Sequence, residues 1–319
     1  MSYAIIGKRT LVTGGAGFIG RHLVDRLMNF RIGVHVLDNL SSGTLESVGK
    51  WMNKKGFKFV LGDITRIKDV KKAIKGCETV FHLAANPEVR IGEPAVHFEN
   101  NILGTYNVLE AAREENVKAI AFTSSSTVYG DASILPTPEG CEPKPISLYG
   151  ASKLAAEALI SAYSHSFGVK GVVYRLANVV GPNMSHGVMF DFVDKLRRNP
   201  KELIILGDGR QRKSYMWIDD CIDSMLLAFK YAEEPFEVHN VGSIDTIDVT
   251  SIAKIITDEM GLKKVEFRYT GGVNGGRGWI GDVKFMHLSI GKLKKLGWQP
   301  RYNSEESVRM AARSLVKGE

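Results

Sequence analysis

Tyr149 and Lys153 are the two residues whose types and spacing suggest catalysis in this chain of 319 residues. They lie four positions apart at the start of a stretch with helical periodicity, so on a helix they share one face, with Cβ atoms about 5–6 Å apart. A lysine ammonium beside a phenol favours the phenolate and lowers a pKa that is normally about 10. The spacing therefore predicts that Tyr149 is a general base near neutral pH. The alternative is an ordinary Tyr/Lys pair on a helix surface.

Three consecutive serines, 124–126, follow a β-branched run and add a hydroxyl to this chemistry. A parallel sheet presents its functional residues at the carboxyl ends of its strands, and Ser125 is expected there. Its hydroxyl can bond a substrate oxygen while Tyr149 moves the proton; the alternative is a serine-rich loop. A hydrolase triad fits poorly, because the sequence has no Gly-x-Ser-x-Gly motif and neither His82 nor His165 has an evident acidic partner. Both histidines are predicted to be structural.

A glycine-rich segment, residues 13–20, indicates a nucleotide site because it lies between a short β-branched run and a helical stretch. Gly14 or Gly15 permits a tight turn at this point. Gly17 lets the backbone approach a pyrophosphate, and Gly20 lets the helix pack closely on the strand. The N-terminus of that helix presents free N–H groups and the positive end of its dipole to phosphates.

Asp38 follows Gly20 at the end of the second β-branched run. An acidic residue roughly 20 positions after such glycines holds the ribose hydroxyls of a dinucleotide. A carboxylate also repels a 2′-phosphate, so the pattern predicts NAD rather than NADP. The alternative for Asp38 is an ordinary turn aspartate.

The elements that must position these residues are short β-branched runs that alternate with helical stretches. Apolar strands that alternate with amphipathic helices are typical of a parallel sheet covered on both faces. The sequence therefore predicts an α/β fold with a doubly wound parallel sheet (Rossmann) and a smaller C-terminal α/β substrate-binding lobe. The predicted strands of the sheet are Arg9–Val12, Gly33–Leu37, Phe57–Leu61, Thr79–Leu83, Lys118–Thr123 and Gly171–Leu176.

The regular alternation stops after Gly181 and Pro182, where short strands and glycine-rich loops begin. The run Glu237–Val241 is nevertheless expected to return to the first sheet. We therefore expect the two domains to be interleaved in the chain. The NAD-binding domain is predicted at residues 1–178 plus about 217–242, and the second, substrate-binding domain at residues 179–216 plus 243–319.

Composition and charge argue against several other classes of protein. The chain has 42 Lys+Arg against 35 Asp+Glu, a net charge of +7, but the lysines are scattered and no nucleic-acid motif is present, so no nucleic-acid partner is expected. The three cysteines are too far apart to indicate a disulfide framework or a metal site. No apolar run approaches the ~20 residues that span a bilayer. Because Met1 to Arg9 also lacks the apolar stretch of a secretory signal, we expect no membrane partner and a cytoplasmic location.

Together the motifs resemble those of the extended short-chain dehydrogenase/reductases, and in particular the nucleotide-sugar epimerases of UDP-glucose 4-epimerase type. The resemblance extends from Arg9 to about Trp298. It is carried by Gly14-x-x-Gly17-x-x-Gly20, Asp38-Asn39-Leu40, Asp63-Ile64, His82-Leu83-Ala84-Ala85, Asn101-x-x-Gly104-Thr105, Ser125 and Tyr149-x-x-x-Lys153.

This resemblance implies a tightly held NAD, a UDP-sugar between two lobes, and a homodimer formed through a helix bundle at Phe98–Glu115 and Leu148–Phe167. The residues that it implies around NAD are Gly14, Gly17, Phe18, Ile19, Gly20, Asp38, Asn39, Ser41, Ser42, Gly43, Asp63, Ile64, Leu83, Ala84, Ala85, Asn101, Tyr149 and Lys153. The residues that it implies at the substrate are Ser125, Asn178, Lys213, Tyr215, Arg277, Asp282 and Met286.

The segment from Ser125 to Gly130 contains no carboxylate. In the related dehydratases and decarboxylases, by contrast, the corresponding segment carries acidic residues. Elimination of water needs such additional proton carriers. The resemblance therefore implies epimerisation at carbon 4 of a UDP-sugar of the UDP-glucose/UDP-galactose type, with Tyr149 as base, Ser125 orienting the oxygen and Lys153 tuning the pKa of Tyr149. A UDP-N-acetylhexosamine or UDP-uronic acid epimerase, a related reductase and a non-enzymatic NAD-binding regulator are the alternatives.

Several positions depart from the family pattern or have more than one interpretation. Lys213 replaces an arginine of many epimerases, so a phosphate would meet a point charge rather than a bidentate fork. The spacing from Arg277 to Asp282 is longer than in the family. Met286 matches the position that gates bulky 2-N-acetyl groups and leaves acceptance of such sugars open. Arg90 either pairs with a sugar carboxylate or is a solvated loop arginine, and we favour the second interpretation.

Overall fold

The computed structural model of this chain describes residues 6–90 and 93–318. The strands in these ranges are β1 (Arg9–Thr13), β2 (Gly33–Asp38), β3 (Phe57–Leu61), β4 (Thr79–His82), β5 (Ala119–Ser125), β6 (Lys170–Leu176), β7 (Asn178–Val180), β8 (Glu202–Ile205), β9 (Arg212–Lys213), β10 (Tyr215–Trp217), β11 (Phe236–Val241), β12 (Ile247–Asp248), β13 (Glu266–Tyr269) and β14 (Phe285–Met286). Seven of them form a parallel sheet in the order β11-β6-β5-β4-β1-β2-β3.

Helices cover both faces of this sheet. The α-helices are α1 (Phe18–Asn29), α2 (Ile67–Ile74), α3 (Pro94–His97), α4 (Gly104–Glu114), α5 (Leu148–Phe167), α6 (Val188–Arg198), α7 (Ile218–Tyr231), α8 (Val249–Glu259), α9 (Gly291–Lys295) and α10 (Ser304–Lys317). One core packs α1 and α7 on the sheet, and a second packs α2, α4 and α5 on its opposite face. This confirms the predicted doubly wound α/β fold. Within the residues that the structure describes, no helix is long and apolar enough to cross a membrane.

The predicted strands of the large sheet are confirmed, with ends that differ by no more than two residues. The observed β5 extends two residues beyond the predicted end at Thr123. Ser124 and Ser125 belong to the strand because they pair with Arg175 and Leu176 of β6. Ser125 is therefore the last residue of a central strand. The predicted return to the sheet is also confirmed, since β11 is its edge strand beside β6.

The C-terminal lobe has its own hydrophobic core, to which α6, α8 and α10 contribute residues such as Val193, Ile256 and Ala312. A small sheet, β12-β9-β14, carries Lys213 and Met286 on neighbouring strands. The exact division of the chain into two domains stays a prediction.

The order of the strands determines where a ligand can enter. From β1 the chain proceeds to β2 and β3 on one side, whereas β4, β5 and β6 follow on the other side. In such sheets ligands bind in the crevice beyond the carboxyl ends of the strands, at the point where the order reverses. The glycine-rich loop after β1 and the serines at the end of β5 both lie along this edge.

Candidate active site

A cleft of about 880 Å³ opens along the carboxyl ends of the parallel strands and continues into the C-terminal lobe. Small-molecule sites typically have roughly 300–1,000 Å³, so this cleft is large enough for extended ligands. Gly14 and Asp38 lie in its wall on the side of the large sheet, and Lys213 and Asp282 lie in its wall on the side of the C-terminal lobe.

The glycine-rich loop fits the pyrophosphate of a dinucleotide. Gly14, rather than Gly15, makes the tight turn, with φ of +69°, and a Cβ on it would lie 2.8 Å from the backbone nitrogen of Ala84. A Cβ on Gly20 would lie 2.1 Å from the carbonyl oxygen of Gly14, so α1 can approach β1 this closely only with glycine. Gly17 precedes the first residue of α1 and has no side chain that would block the N-terminal N–H groups of the helix.

Asp38 joins this loop to the end of β2. One carboxylate oxygen accepts a hydrogen bond of 2.9 Å from the backbone N–H of Ala16, and the other accepts one of 2.8 Å from that of Leu40. Asp38 thus stabilises a turn, as an ordinary turn aspartate would, and it also lies in the wall of the cleft. Each carboxylate oxygen can accept more than one hydrogen bond, so acceptor capacity for ribose hydroxyls remains. These residues fit NAD.

Most of the residues predicted around NAD lie in the wall of the cleft, and three do not. Those in the wall are Gly14, Gly17, Phe18, Ile19, Gly20, Asp38, Asn39, Ser41, Ser42, Ile64, Leu83, Ala84, Ala85, Tyr149 and Lys153. Gly43 packs against the backbone of the glycine-rich loop. Asp63 accepts a hydrogen bond from the amide of Asn39, and the side chain of Asn101 accepts one from the backbone of Asn86. These three residues therefore hold the wall in place from behind: Gly43 contacts the glycine-rich loop, Asp63 contacts Asn39, and Asn101 contacts Asn86.

Tyr149 and Lys153 lie in the first turns of α5, whose N-terminus is capped by the hydroxyl of Ser147. The Lys153 ammonium is buried and donates a hydrogen bond of 2.8 Å to the carbonyl oxygen of Thr123 in β5. It lies 5.8 Å from the centre of the Tyr149 ring. The predicted helical pair is therefore present in the wall of the cleft rather than exposed on a helix surface, with Lys153 buried and Tyr149 half-buried.

Ser125 completes this group from the end of β5. Its Oγ accepts hydrogen bonds from the backbone N–H of Thr127, at 3.2 Å, and from the hydroxyl of Thr127, at 2.9 Å. A serine oxygen has two acceptor sites, and Thr127 occupies both, so the Ser125 hydroxyl proton is the group left to bond Tyr149 or a ligand. Ser125 is also hydrogen-bonded to Tyr149. Sequence reasoning did not single out Thr127, although it is only two positions from Ser125.

The pKa values of the pair differ from the sequence-based prediction. Burial raises the pKa of Tyr149 to about 12, and the hydrogen bond with Ser125 offsets only part of this effect. Burial also lowers the pKa of Lys153 to about 7, against the influence of Glu157. The predicted net lowering of the tyrosine pKa by the lysine is therefore wrong for these surroundings, because loss of water disfavours the charged form of both groups.

The wall of the cleft also contains six of the residues predicted at the substrate: Ser125, Asn178, Lys213, Tyr215, Asp282 and Met286. The Lys213 ammonium lies 2.7 Å from a carboxylate oxygen of Asp282. Arg277 does not lie in the wall. Its guanidinium binds both carboxylate oxygens of Asp131, at 2.9 and 2.8 Å. Arg277 also pairs with Val273 in an isolated β-bridge.

Two residues of this wall, Trp279 and Gln211, were not predicted from the sequence. The Trp279 ring centre lies 5.4 Å from the Lys213 ammonium and 5.6 Å from the guanidinium carbon of Arg90. Arg90 is also 3.0 Å from Asp191, but its side chain is 51% exposed, so it remains the solvent-exposed loop arginine favoured from the sequence, with these two contacts in addition. Trp279 lies within the segment from Arg277 to Asp282 that is longer than in the family, and this departure could have identified it as a candidate site residue. Gln211 belongs to no motif, so no sequence signal could have identified it.

His82 has a structural role, as predicted. It is fully buried between the hydroxyls of Thr13, at 2.7 Å, and Thr105, at 3.0 Å, and burial lowers its pKa to about 3. It therefore stays neutral and connects β1 and β4 to α4. Over residues 6–90 and 93–318, no group of three or more His, Cys, Asp and Glu side chains is placed to hold a metal ion.

Comparison with known proteins agrees with the geometry. The sequence model of the NAD dependent epimerase/dehydratase family matches residues 10–242. A putative UDP-glucose 4-epimerase of Methanocaldococcus jannaschii is 35% identical over 308 residues, covering 94% of this chain and 95% of that protein.

Two crystal structures show the same fold over almost the whole chain. A UDP-galactose 4-epimerase matches with a TM-score of 0.87 and 45% identity, covering 97% of this chain and 99% of that one. A UDP-glucose 4-epimerase of Thermotoga maritima, solved with UDP-glucose, matches with a TM-score of 0.86 and 33% identity, also covering 97% and 99%. The resemblance to nucleotide-sugar epimerases is thereby confirmed, and the chain belongs to the NAD dependent epimerase/dehydratase family.

Proposed function

We propose that this protein interconverts UDP-sugars that differ in configuration at carbon 4, with UDP-glucose and UDP-galactose as the reference pair. The observation that supports this most strongly is the group of Ser125, Tyr149 and Lys153 in one cleft with the glycine-rich loop. The short 3-10 helix that follows Ser125, Ser126–Tyr129, brings no carboxylate to this group. Proton carriers for elimination are therefore missing at that position, and a single base suits oxidation followed by reduction.

In this proposal Tyr149 moves one proton in each direction. Its phenolate takes the proton of the sugar 4-hydroxyl, which leaves a 4-keto sugar after oxidation, and it returns the proton to the same oxygen after the keto sugar has turned over in the cleft. The chemistry that NAD supplies when bound is reversible hydride transfer at carbon 4. Ser125 donates its hydroxyl proton to the reacting oxygen in place of Tyr149, because both of its acceptor sites are occupied by Thr127.

Lys153 supplies the positive charge that the phenolate requires. In its ammonium form it stabilises the negative charge on Tyr149 one helical turn away, and its contact with Thr123 holds it in place. We also assign to Lys153 the nicotinamide ribose of NAD, and to Asp38 the adenosine ribose. Both assignments remain proposals.

The nucleotide diphosphate is proposed to bind toward the C-terminal lobe, near Lys213, Asn178, Tyr215 and Asp282. Arg277 would support this region from behind, through its contact with the carbonyl oxygen of Asp282. The family relationship and the relatives that act on UDP-sugars support a UDP-sugar as the substrate class. Met286 lies in the wall of the cleft, and methionine is a flexible side chain that can adapt to a 2-N-acetyl group. UDP-N-acetylhexosamines therefore belong in the same substrate screen.

A homodimer is proposed on the basis of exposed apolar side chains. They lie on the two helical segments that the resemblance assigns to a helix bundle and include Phe98, Leu103, Tyr106, Leu148 and Phe167. The cytoplasmic location stays a prediction, and the N-terminal residues behind it lie partly outside the described ranges.

The proposed activity is tested by incubating the purified protein with UDP-glucose without added NAD and following UDP-galactose by NMR. Denaturation of the same preparation should release NAD. A Tyr149→Phe variant is the matched control: it should retain NAD but lose turnover by about 10²–10⁴-fold, the usual contribution of a general base. Failure to interconvert any UDP-hexose, including the N-acetylated and uronic acid forms, would refute the proposal.

A further inference from the structure

One face of α5 carries a third buried polar residue beyond the proposed catalytic pair. Tyr149, Lys153 and Glu157 are spaced four apart, so they lie on consecutive turns of the same face. Lys153 and Glu157 are only 2% and 4% exposed. Glu157 does not lie in the wall of the cleft, so it does not contact a ligand there.

These three residues meet three consecutive residues at the end of β5. Ser125 is hydrogen-bonded to Tyr149, and the carbonyl oxygen of Thr123 accepts from Lys153. Between them, the Ser124 hydroxyl donates a hydrogen bond to the Glu157 carboxylate. The α5 face and the strand end are thus joined at three points, and of the three α5 residues Glu157 is the one that does not line the cleft.

Glu157 is paired with Arg175 of β6 in the buried interior. The guanidinium of Arg175 approaches both carboxylate oxygens, at 3.1 Å from Nε and at 2.7 Å from Nη2, and is itself 5% exposed. Bidentate arginine contacts are strong and geometrically specific. A buried ion pair is, however, weak evidence for stability, because removing both charges from water is costly. A role in fixing geometry and charge near the active site explains its presence better.

The electrostatic effect of Glu157 on the catalytic pair is unequal. It is one helical turn from Lys153 but two turns from Tyr149, so its negative charge stabilises the ammonium more than it opposes the phenolate. Glu157 raises the pKa of Lys153 in opposition to burial. The neighbouring histidines add no competing charge at neutral pH, since burial lowers the pKa of His82 and that of His97, whose ring lies beside Tyr149.

We infer that Glu157 is a positioning residue for the proposed base: its carboxylate holds the face of α5 in register with the end of β5 and favours the ammonium form of Lys153. The ammonium in turn favours the phenolate of Tyr149. This inference deepens the proposed function and depends on it for the role of Tyr149, but the effect on Lys153 is measurable without turnover.

The test is a Glu157→Gln variant, which keeps the shape of the side chain and removes its charge. The titration of Lys153 is followed by NMR on protein labelled with 13C at the lysine ε-carbon, with the signal identified by its loss in Lys153→Met. The pKa of Lys153 should fall by about one unit, the lower end of the effect expected from losing a nearby opposite charge. Because the ammonium exists below its pKa, the alkaline loss of kcat should move to lower pH in the same variant, with KM unchanged.

Two further variants serve as controls for charge and position. Glu157→Asp retains the carboxylate and should restore the titration of Lys153 toward that of the unmodified protein. Glu259→Gln removes a carboxylate that is paired with Arg309 and Arg313 in the C-terminal lobe, and it should leave Lys153 unaffected.

Glu157→Gln leaves the buried Arg175 without its counter-charge, which is costly. If that variant does not fold, Glu157→Gln combined with Arg175→Met removes both charges, and a smaller fall in the pKa of Lys153 is expected, because loss of the Arg175 cation partly offsets loss of the carboxylate. An identical Lys153 titration in the Gln, Asp and unmodified proteins overturns the inference and leaves Glu157 with a packing role only. If the unmodified protein epimerises no UDP-sugar, the proposed function fails, whereas the Lys153 titration still decides whether Glu157 sets its charge.

Discussion

At the scale of single residues, the candidate site combines ordinary side chains whose behaviour depends on burial. Loss of water raises the pKa of Tyr149 to about 12 and lowers that of Lys153 to about 7. The pair therefore tends toward its uncharged form, which is unsuitable for a base. The contacts that favour the charged form, from Ser125 to Tyr149 and from Glu157 to Lys153, are for this reason as important to the proposed chemistry as the pair itself.

Thr127 offers a sharp test of how Ser125 is oriented. Thr127→Val removes the hydroxyl that donates to Ser125 but keeps the backbone N–H contact. One neutral hydrogen bond contributes about 0.5–1.5 kcal/mol, so kcat should fall roughly 2- to 10-fold. Steady-state kinetics with the identified UDP-sugar measures this, and Thr127→Ser should restore the rate. A valine variant as fast as the unmodified protein would show that the Thr127 hydroxyl does not orient Ser125.

At the scale of elements, the unit formed by β1, the glycine-rich loop and α1 depends on contacts that only glycine permits. The nearest atoms to a Cβ on Gly20 are backbone atoms of Gly14 and Gly15, at 2.1 and 2.7 Å. Backbone atoms cannot rotate away as a flexible side chain can, so the whole loop would have to move. Glycine at position 20 is therefore needed both for the close packing of α1 on β1 and for the position of the loop.

Gly20→Ala should consequently reduce both stability and NAD content. A decrease of about 1–3 kcal/mol in the free energy of unfolding is expected for such overpacking. Thermal unfolding and the amount of NAD released on denaturation measure the two effects. Gly49→Ala is the matched control, because a Cβ on Gly49 would meet nothing within 4 Å. Equal Tm and equal NAD content in the two variants would contradict this account of the loop.

At the scale of the whole molecule, residues of both lobes meet across one cleft. Arg90, from the loop after β4, contacts Trp279 and Asp191 of the C-terminal part of the chain. Lys213 contacts Trp279 from the other side. On the outer surface, Phe98 and Phe167 are 59% and 54% exposed, at opposite ends of the two helical segments 98–115 and 148–167. Exposed apolar surface of this kind is typical of interaction sites.

The proposed homodimer should therefore depend on this apolar surface. Phe98→Asp places a charge there and should convert a dimer into a monomer in sedimentation velocity, with the far-UV circular dichroism unchanged. Ile244→Asp alters a side chain that is 53% exposed but lies outside the two helical segments, and it should leave the dimer intact. A monomeric unmodified protein, or a dimer that Phe98→Asp does not affect, would reject this interface.

Much of the fold and part of the site were predictable because they depend on local geometry. A tyrosine and a lysine four apart share a helix face in any protein, and glycines after a strand permit a turn whatever lies beyond them. Asp38 was predictable for the same reason, since it ends the strand beside the glycine-rich loop. The order of β-branched runs was enough to indicate the sheet, although not the extra pairing that extends β5 to Ser125.

Local sequence patterns thus specify the element order, the glycine-rich loop and the spacing of the proposed catalytic pair. The contacts of Arg277 with Asp131, of Arg90 with Trp279, and of Glu157 with Arg175 behind Lys153 depend on how the chain folds. These contacts join residues far apart in the chain, so no local pattern encodes them. The pKa values of Tyr149 and Lys153 belong to the same class, because desolvation is a property of the packed molecule rather than of the spacing between two residues.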